Sequence, residues 1–232
     1  MTIIPFQYHR NILDQFPNLC GGVIIGKGIC NALTPKALQQ DFLDEQHRIL
    51  ERLGDNPLSD LPTLASWRSA FRTFGVDPTR YRSAAEALLR RLIKKGDIPS
   101  VTALVDIGNL VSIRYALPVA VIDSDSIAGG IIVHYAVGNE SFNGWGEEEV
   151  SHPDPGEVIF SDSNGSVVAR RWCWRQSKES TARLETRNLI VTVEAHHPHA
   201  SQDIQASLYD LIFLFEKYTG GEYETHVLGK ME

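Results

Sequence analysis

A chain of 232 residues, 43% hydrophobic and with a net charge of −7, is long enough for one large or two small domains with an ordinary packed core. No apolar run approaches the roughly 20 residues that span a bilayer, and the opening Met1-Thr-Ile-Ile-Pro-Phe6 lacks the features of a secretory signal, so a cytoplasmic location without membrane contact is expected. Three scattered cysteines, Cys20, Cys30 and Cys173, form no Cys-x-x-Cys pair, which argues against a disulfide framework or a cysteine metal site.

In chain order, a short extended piece leads to a strand at Gly22-Val-Ile-Ile-Gly26. A helix over about 35–52 follows, with Thr34 as its N-cap, Pro35 in its first position and Gly54 at its end. The turn-rich connector 55–62 opens on a helix over about 63–74 that stops at Gly75. Asp77-Pro78-Thr79 is expected to begin the next helix, in which Leu88, Leu89, Leu92 and Ile93 recur at helical spacing up to Gly96. Leu104, Ile107, Leu110 and Val111 share a face of a helix near 101–115. Strands then dominate: 118–122, 130–136, a hairpin of 157–161 and 166–174 around Asn164-Gly165, and 188–193. A closing helix over about 201–218 aligns Ile204, Leu208, Leu211, Ile212, Phe215 and Tyr218 and ends at Gly220-Gly221. Early helices, late strands and a last helix predict an α+β domain, a sheet with helices packed on one face.

The negative charge is unevenly distributed. Residues 66–95 hold eight basic against two acidic side chains, a net of +6, and residues 170–187 hold six against two, a net of +4, so the remainder carries −17. Phosphate contact is therefore expected to be local and selective.

Among residues able to carry chemistry, Arg170-Arg-Trp-Cys-Trp-Arg-Gln-Ser177 stands out. Strand alternation would send Arg171, Cys173 and Arg175 to one face and Trp172, Trp174 and Gln176 to the other. Such a segment suits a ligand platform, with arginine forks for phosphate or carboxylate and flat rings for stacking; the plainer alternative is tryptophans in the core and arginines in solvent or ion pairs. Cys173 has cationic neighbours but no sequence-adjacent base to make it a nucleophile. Glu194-Ala-His-His-Pro-His199 follows a strand and offers Glu194 and His196 on one face for acid–base work, or an ordinary polar loop; no helical His-Glu-x-x-His accompanies it, and no metal is expected. Asp106, Asn109 and Asp123 interrupt apolar segments and are the residue types that satisfy backbone groups at turns and helix ends. There is no Gly-x-Ser-x-Gly, Walker loop or dinucleotide fingerprint, and no cofactor is expected.

Val105-Asp-Ile-Gly-Asn109, Leu117-Pro-Val-Ala-Val-Ile-Asp123, Gly129-Gly130 and Glu185-Thr-Arg-Asn-Leu189 resemble the B3/B4 domain of the phenylalanyl-tRNA synthetase beta subunit. The resemblance covers about 66–221 of a single B3/B4-like domain, with 1–61 as an N-terminal extension packed on it. The segments from Trp67 to Arg91 and Arg170 to Ser177 are similar to free-standing members that lack the synthetase's catalytic core. The resemblance implies an α+β fold and, in the synthetase, hydrolysis of tyrosine wrongly attached to tRNA. Two positions after the proline matching Pro118 the synthetase pattern has a pocket histidine; here Ala120 stands there. The pocket glutamate matches Glu194, although about two extra residues separate it from the Glu-Thr-x-Asn motif.

The resulting expectation is an aminoacyl-tRNA-associated protein that hydrolyses a mischarged ester in trans. In it Glu194 and Asn109 position the α-amino group or water, and Arg171, Trp172, Trp174, Arg175, Ala120 and His196 surround the substrate. Arg72, Arg80 and Arg82 attract the tRNA backbone. The alternative is a non-catalytic pocket for an amino acid, peptide or nucleotide-like ligand; a structural, partner-binding role is a third reading.

Overall fold

A computed structural model describes residues 5–229. Strand β2 (Cys20–Lys27) lies inside a four-stranded sheet of order β3-β8-β2-β9, with β3 (Val119–Asp123), β8 (Leu189–Ala195) and β9 (Glu222–Gly229). All its pairings are antiparallel. The second sheet has the order β1-β4-β5-β6-β7, formed by β1 (Phe6–Tyr8), β4 (Ile131–Tyr135), β5 (Val158–Ser161), β6 (Val167–Arg170) and β7 (Arg175–Gln176), with β1 and β4 parallel. The helices are α1 (Arg10–Gln15), α2 (Lys36–Leu53), α3 (Pro62–Thr73), α4 (Ala84–Lys95), α5 (Ala103–Tyr115) and α6 (Ala200–Thr219). This is the expected α+β class. No helix among the described residues is long and apolar enough to cross a membrane.

The expected helix-covered sheet is present, but its other face is covered too. Leu189, Val191, Val193 and Ala195 of β8 join a core with α2, α4, α5 and α6, whereas Ile190 joins one with Phe6, Ile131, Val133 and Phe160 of the second sheet. Every residue of β8 is buried, as alternation requires of a strand sandwiched between helices and a second sheet. Thr192 and Glu194 lie on the Ile190 side by the same alternation, so the chain carries two polar residues into the space between the sheets.

Three local expectations fail for identifiable reasons. Residues 77–82 are a turn and α4 starts only at Ala84, because Ser83 accepts a hydrogen bond from the Glu86 amide and caps the helix there. Thr34 does not cap α2; its hydroxyl donates to the buried Asp106 carboxylate at 2.6 Å, which also accepts from the Val101 amide and Ser100. The strand expected to run to Trp174 ends at Arg170. Arg171 and Trp172 take φ of 45° and 62° and form a turn between β6 and β7, so the predicted two-faced alternation does not occur.

Residues before 62 supply more than an outer layer: β1 is an edge strand of one sheet, β2 an interior strand of the other, and α2 packs on α5.

Candidate functional site

Glu194 is 2% exposed at the end of β8. Its Oε1 accepts two hydrogen bonds, from the Tyr8 hydroxyl at 2.8 Å and the Trp172 indole at 3.0 Å. Among the described residues no side chain or amide donates to Oε2. Burial pushes the Glu194 carboxyl up to about 7, with the Trp172 and Tyr8 bonds opposing the shift. The same burial, with the Glu194 charge beside it, raises the Tyr8 phenol well above its ordinary range.

Tyr8 reaches Glu194 across β2. Gly21 faces Glu194 in register, and a Cβ on Gly21 would collide with the Tyr8 hydroxyl, so a glycine in this strand leaves the path open.

Glu194 lines a partly open cavity of about 70 Å³ between the sheets. Its walls are mostly small or apolar: Ala84 at the start of α4, Val119 and Ala120 of β3, Phe160 of β5 and Ala169 of β6. Trp172, Cys173, Trp174, Arg175 and Gln176 close it on the side of the β6–β7 turn, and Thr192 lies beside Glu194. Gln176 ties this turn to the other sheet by donating to the Val121 carbonyl of β3 at 3.1 Å, and donates also to the Ser180 carbonyl in the following turn at 2.9 Å. Burial and the Glu194 charge raise the Cys173 thiol well above its ordinary range, so it does not ionise readily.

Of the residues singled out in the sequence, Glu194, Ala120, Trp172, Trp174 and Arg175 meet at this cavity. Trp172 is a wall rather than a platform: it is fully buried, with Phe16, Trp67 and His196 against its ring at centroid distances of 4.9, 5.3 and 5.0 Å. Trp174 already carries the guanidiniums of Arg171 and Arg175, 4.7 and 4.6 Å from its ring centre, with Tyr81 edge-on at 5.0 Å. Arg171 is buried, stacked over Tyr81 at 3.9 Å and within 3.7 Å of Glu157, and desolvation lowers its pKa. Arg175 is exposed at the rim and pairs with Glu147 at 3.2 Å.

Asn109 is half-buried on α5 and does not line the cavity. His196 also lies outside it, packed against Trp67 at 4.5 Å with its Nε2 unpartnered; burial and the neighbouring His197 push it down to about 3, so it is neutral. Arg72 and Arg80 are exposed, while Arg82 joins Arg90, Arg91, Lys94 and Lys95 along a groove of about 760 Å³ beside α4. Among the described residues no group of three or more His, Cys, Asp and Glu is placed to hold a metal ion.

Sequence reasoning missed Tyr8, which lies 186 residues from Glu194 in the chain. The one available signal was the Gly21-Gly22 pair inside a strand, which marks close approach by another group.

The profile of the B3/4 domain family matches residues 66–212. The chain belongs to the B3/4 domain family. It is 27% identical over 92 residues to the phenylalanine–tRNA ligase beta subunit of Neisseria gonorrhoeae, an alignment covering 40% of this chain and 12% of that subunit. It is 35% identical over 66 residues to the beta subunit of Ruegeria pomeroyi, covering 28% and 8%. The fold is that of an N-terminal fragment of the phenylalanyl-tRNA synthetase beta subunit from Pyrococcus horikoshii, with a TM-score of 0.51, 14% identity, and coverage of 96% of this chain and 51% of that one. This B3/4 chain thus matches only a small share of the synthetase subunits it aligns with and about half of the fragment.

Proposed function

We propose that this B3/4 protein receives the aminoacyl end of an aminoacylated tRNA in the cavity at Glu194 and hydrolyses wrongly charged esters in trans. The observation that carries the reading is the buried Glu194 carboxyl, held at Oε1 by Tyr8 and Trp172 where it lines the cavity. Kinship with synthetase beta subunits supports the tRNA-associated role, and a cytoplasmic setting goes with it.

In this reading ionised Glu194 holds the α-ammonium of the amino acid and so fixes the ester carbonyl at the mouth of the cavity. Water adds to that carbonyl, the vicinal ribose hydroxyl serves as its proton relay, and the ester oxygen leaves protonated as the tRNA hydroxyl. Asn109 has no place in this scheme, because it lies outside the cavity wall.

The RNA backbone would follow α4, whose first residue Ala84 borders the cavity and whose later turns carry Arg90, Arg91, Lys94 and Lys95 along a groove shared with Arg82. Arg72 and Arg80 add exposed positive charge nearby in sequence. The double variant Lys94→Glu, Lys95→Glu is expected to weaken tRNA binding at least tenfold and to flatten its dependence on salt, since each lost phosphate contact removes about one unit or less from the log–log slope. Filter binding across a salt series measures both.

The deciding experiment incubates correctly charged and mischarged tRNAs with the protein and with Glu194→Gln. Selective deacylation that the substitution abolishes is the expected result; no acceleration on any substrate defeats the catalytic reading. A non-catalytic amino-acid pocket is the second reading. It is favoured by Ala120, where the family resemblance has an imidazole, and by the raised pKa of the Cys173 thiol.

A further inference from the structure

The dimensions of the cavity bear on which amino acid it takes. We infer that the site accepts a small, non-aromatic aminoacyl group of the glycyl, alanyl or seryl class, with its ammonium on Glu194. This rests on the reading of the cavity as an aminoacyl site and goes against the tyrosine that the synthetase resemblance would suggest.

The first argument is volume. About 70 Å³ is room for roughly two water molecules, whereas a cavity of about 150 Å³ is needed to hold a benzene ring. An ammonium with a methyl or hydroxymethyl group lies within this volume beside Glu194, whereas a phenol exceeds it and would have to project through the open side.

The second is that the walls are fixed. Trp172 is pinned by its bond to Glu194 and wedged against Phe16 and Trp67, and Phe160 is fully buried edge-on to Phe6 at 5.3 Å. Gln176 is held by the carbonyls of Val121 on the opposite sheet and Ser180 in the turn after β7. Enlarging the cavity would require breaking these contacts, in a region packed as densely as any protein core.

The third is that the rim offers no substitute site for a ring. Of the aromatic side chains lining the cavity, Trp174 is the one that is not fully buried, and Arg171, Arg175 and Tyr81 already occupy it. An aromatic aminoacyl group would have to displace a guanidinium from the ring or lie in water.

The fourth is chemical. Both donors to Glu194 use Oε1, and the carboxyl lines a cavity whose other walls are largely apolar, which selects a compact cation.

The test measures binding of amino-acid amides to the intact protein at pH 7 by calorimetry or chemical-shift titration. Glycinamide, alaninamide and serinamide should bind at least tenfold more tightly than phenylalaninamide and tyrosinamide. Propionamide, which is alaninamide without its ammonium, should bind at least tenfold more weakly than alaninamide. Ala120→Leu, which fills the cavity from β3, should abolish alaninamide binding while the circular dichroism spectrum stays unchanged; Ala120→Val, a smaller addition, should keep the fold and weaken binding at least threefold. Tyrosinamide binding as tightly as alaninamide would overturn the inference and leave the aminoacyl reading intact. Binding of none of the amides would overturn both, and alaninamide binding undiminished in a folded Ala120→Leu protein would place the ligand elsewhere and overturn the inference.

Discussion

Glu194 binds a proton more tightly in the folded protein, at about 7, than at its ordinary value of 4.5. Folding therefore takes up a proton between these values, and the stability associated with the neutral carboxyl is present in acid and lost as pH rises through about 7. Glu194→Gln keeps an oxygen acceptor for Tyr8 and Trp172 without the charge. It should match the wild type near pH 4.5 and exceed it by up to about 3 kcal/mol at pH 8, as read by urea unfolding at the two pH values. His196 acts in the opposite sense: its folded value near 3 lies below the ordinary 6.5, so the stability it contributes falls away as pH drops below about 6.5. Both substituted and native proteins share that acid-side loss, so it does not obscure the comparison. Glu194 was visible in the sequence as a carboxylate after an apolar strand, two residues beyond Thr192. Its donors were not, because Tyr8 and Trp172 reach it through contacts of 186 and 22 residues' separation.

The β1–β2 pair of strands shows how one side chain dictates another element's sequence. Tyr8 leaves β1, passes over Gly21 of β2 and ends at Glu194 of β8, so three strands from two sheets meet at one hydrogen bond. Gly21→Ala should displace the Tyr8 hydroxyl, cost about 1–3 kcal/mol of stability and raise the Glu194 pKa further by removing a donor to its ionised form. Thermal unfolding and a carboxyl titration by NMR would measure the two effects; an unchanged titration would mean that Tyr8 does not hold Glu194. The turn after β6 was illegible for a related reason. Arg171 and Trp172 adopt positive φ without being glycine, held there by the Glu157 carboxylate on the Arg171 amide at 2.9 Å and by the burial of Trp172, and no local sequence preference announces such a conformation.

At the scale of the molecule, the family match begins at residue 66, yet β2 lies between β8 and β9 and α2 packs against α5. A chain beginning at Ser66 would leave β8 without one of its two partners and expose the apolar face of α5. It should show no cooperative thermal transition by circular dichroism; a sharp transition would mean that the matched segment folds without β2.

Periodicity and punctuation in the sequence determined the helices α2, α3, α5 and α6, the strands β3, β4, β5 and β8, and the α+β class, because burying one stripe or one alternate row of side chains is a local demand. The motifs carried the family resemblance, and Glu194 with them. Only the tertiary structure decided that the helix-covered sheet has a second sheet on its other face, that Trp172 is a wall and Trp174 an arginine-bearing rim, and that Asn109 and His196 stand apart from the cavity. These outcomes depend on which distant side chains share a volume of about 70 Å³, and packing between remote segments leaves no period in the chain to read.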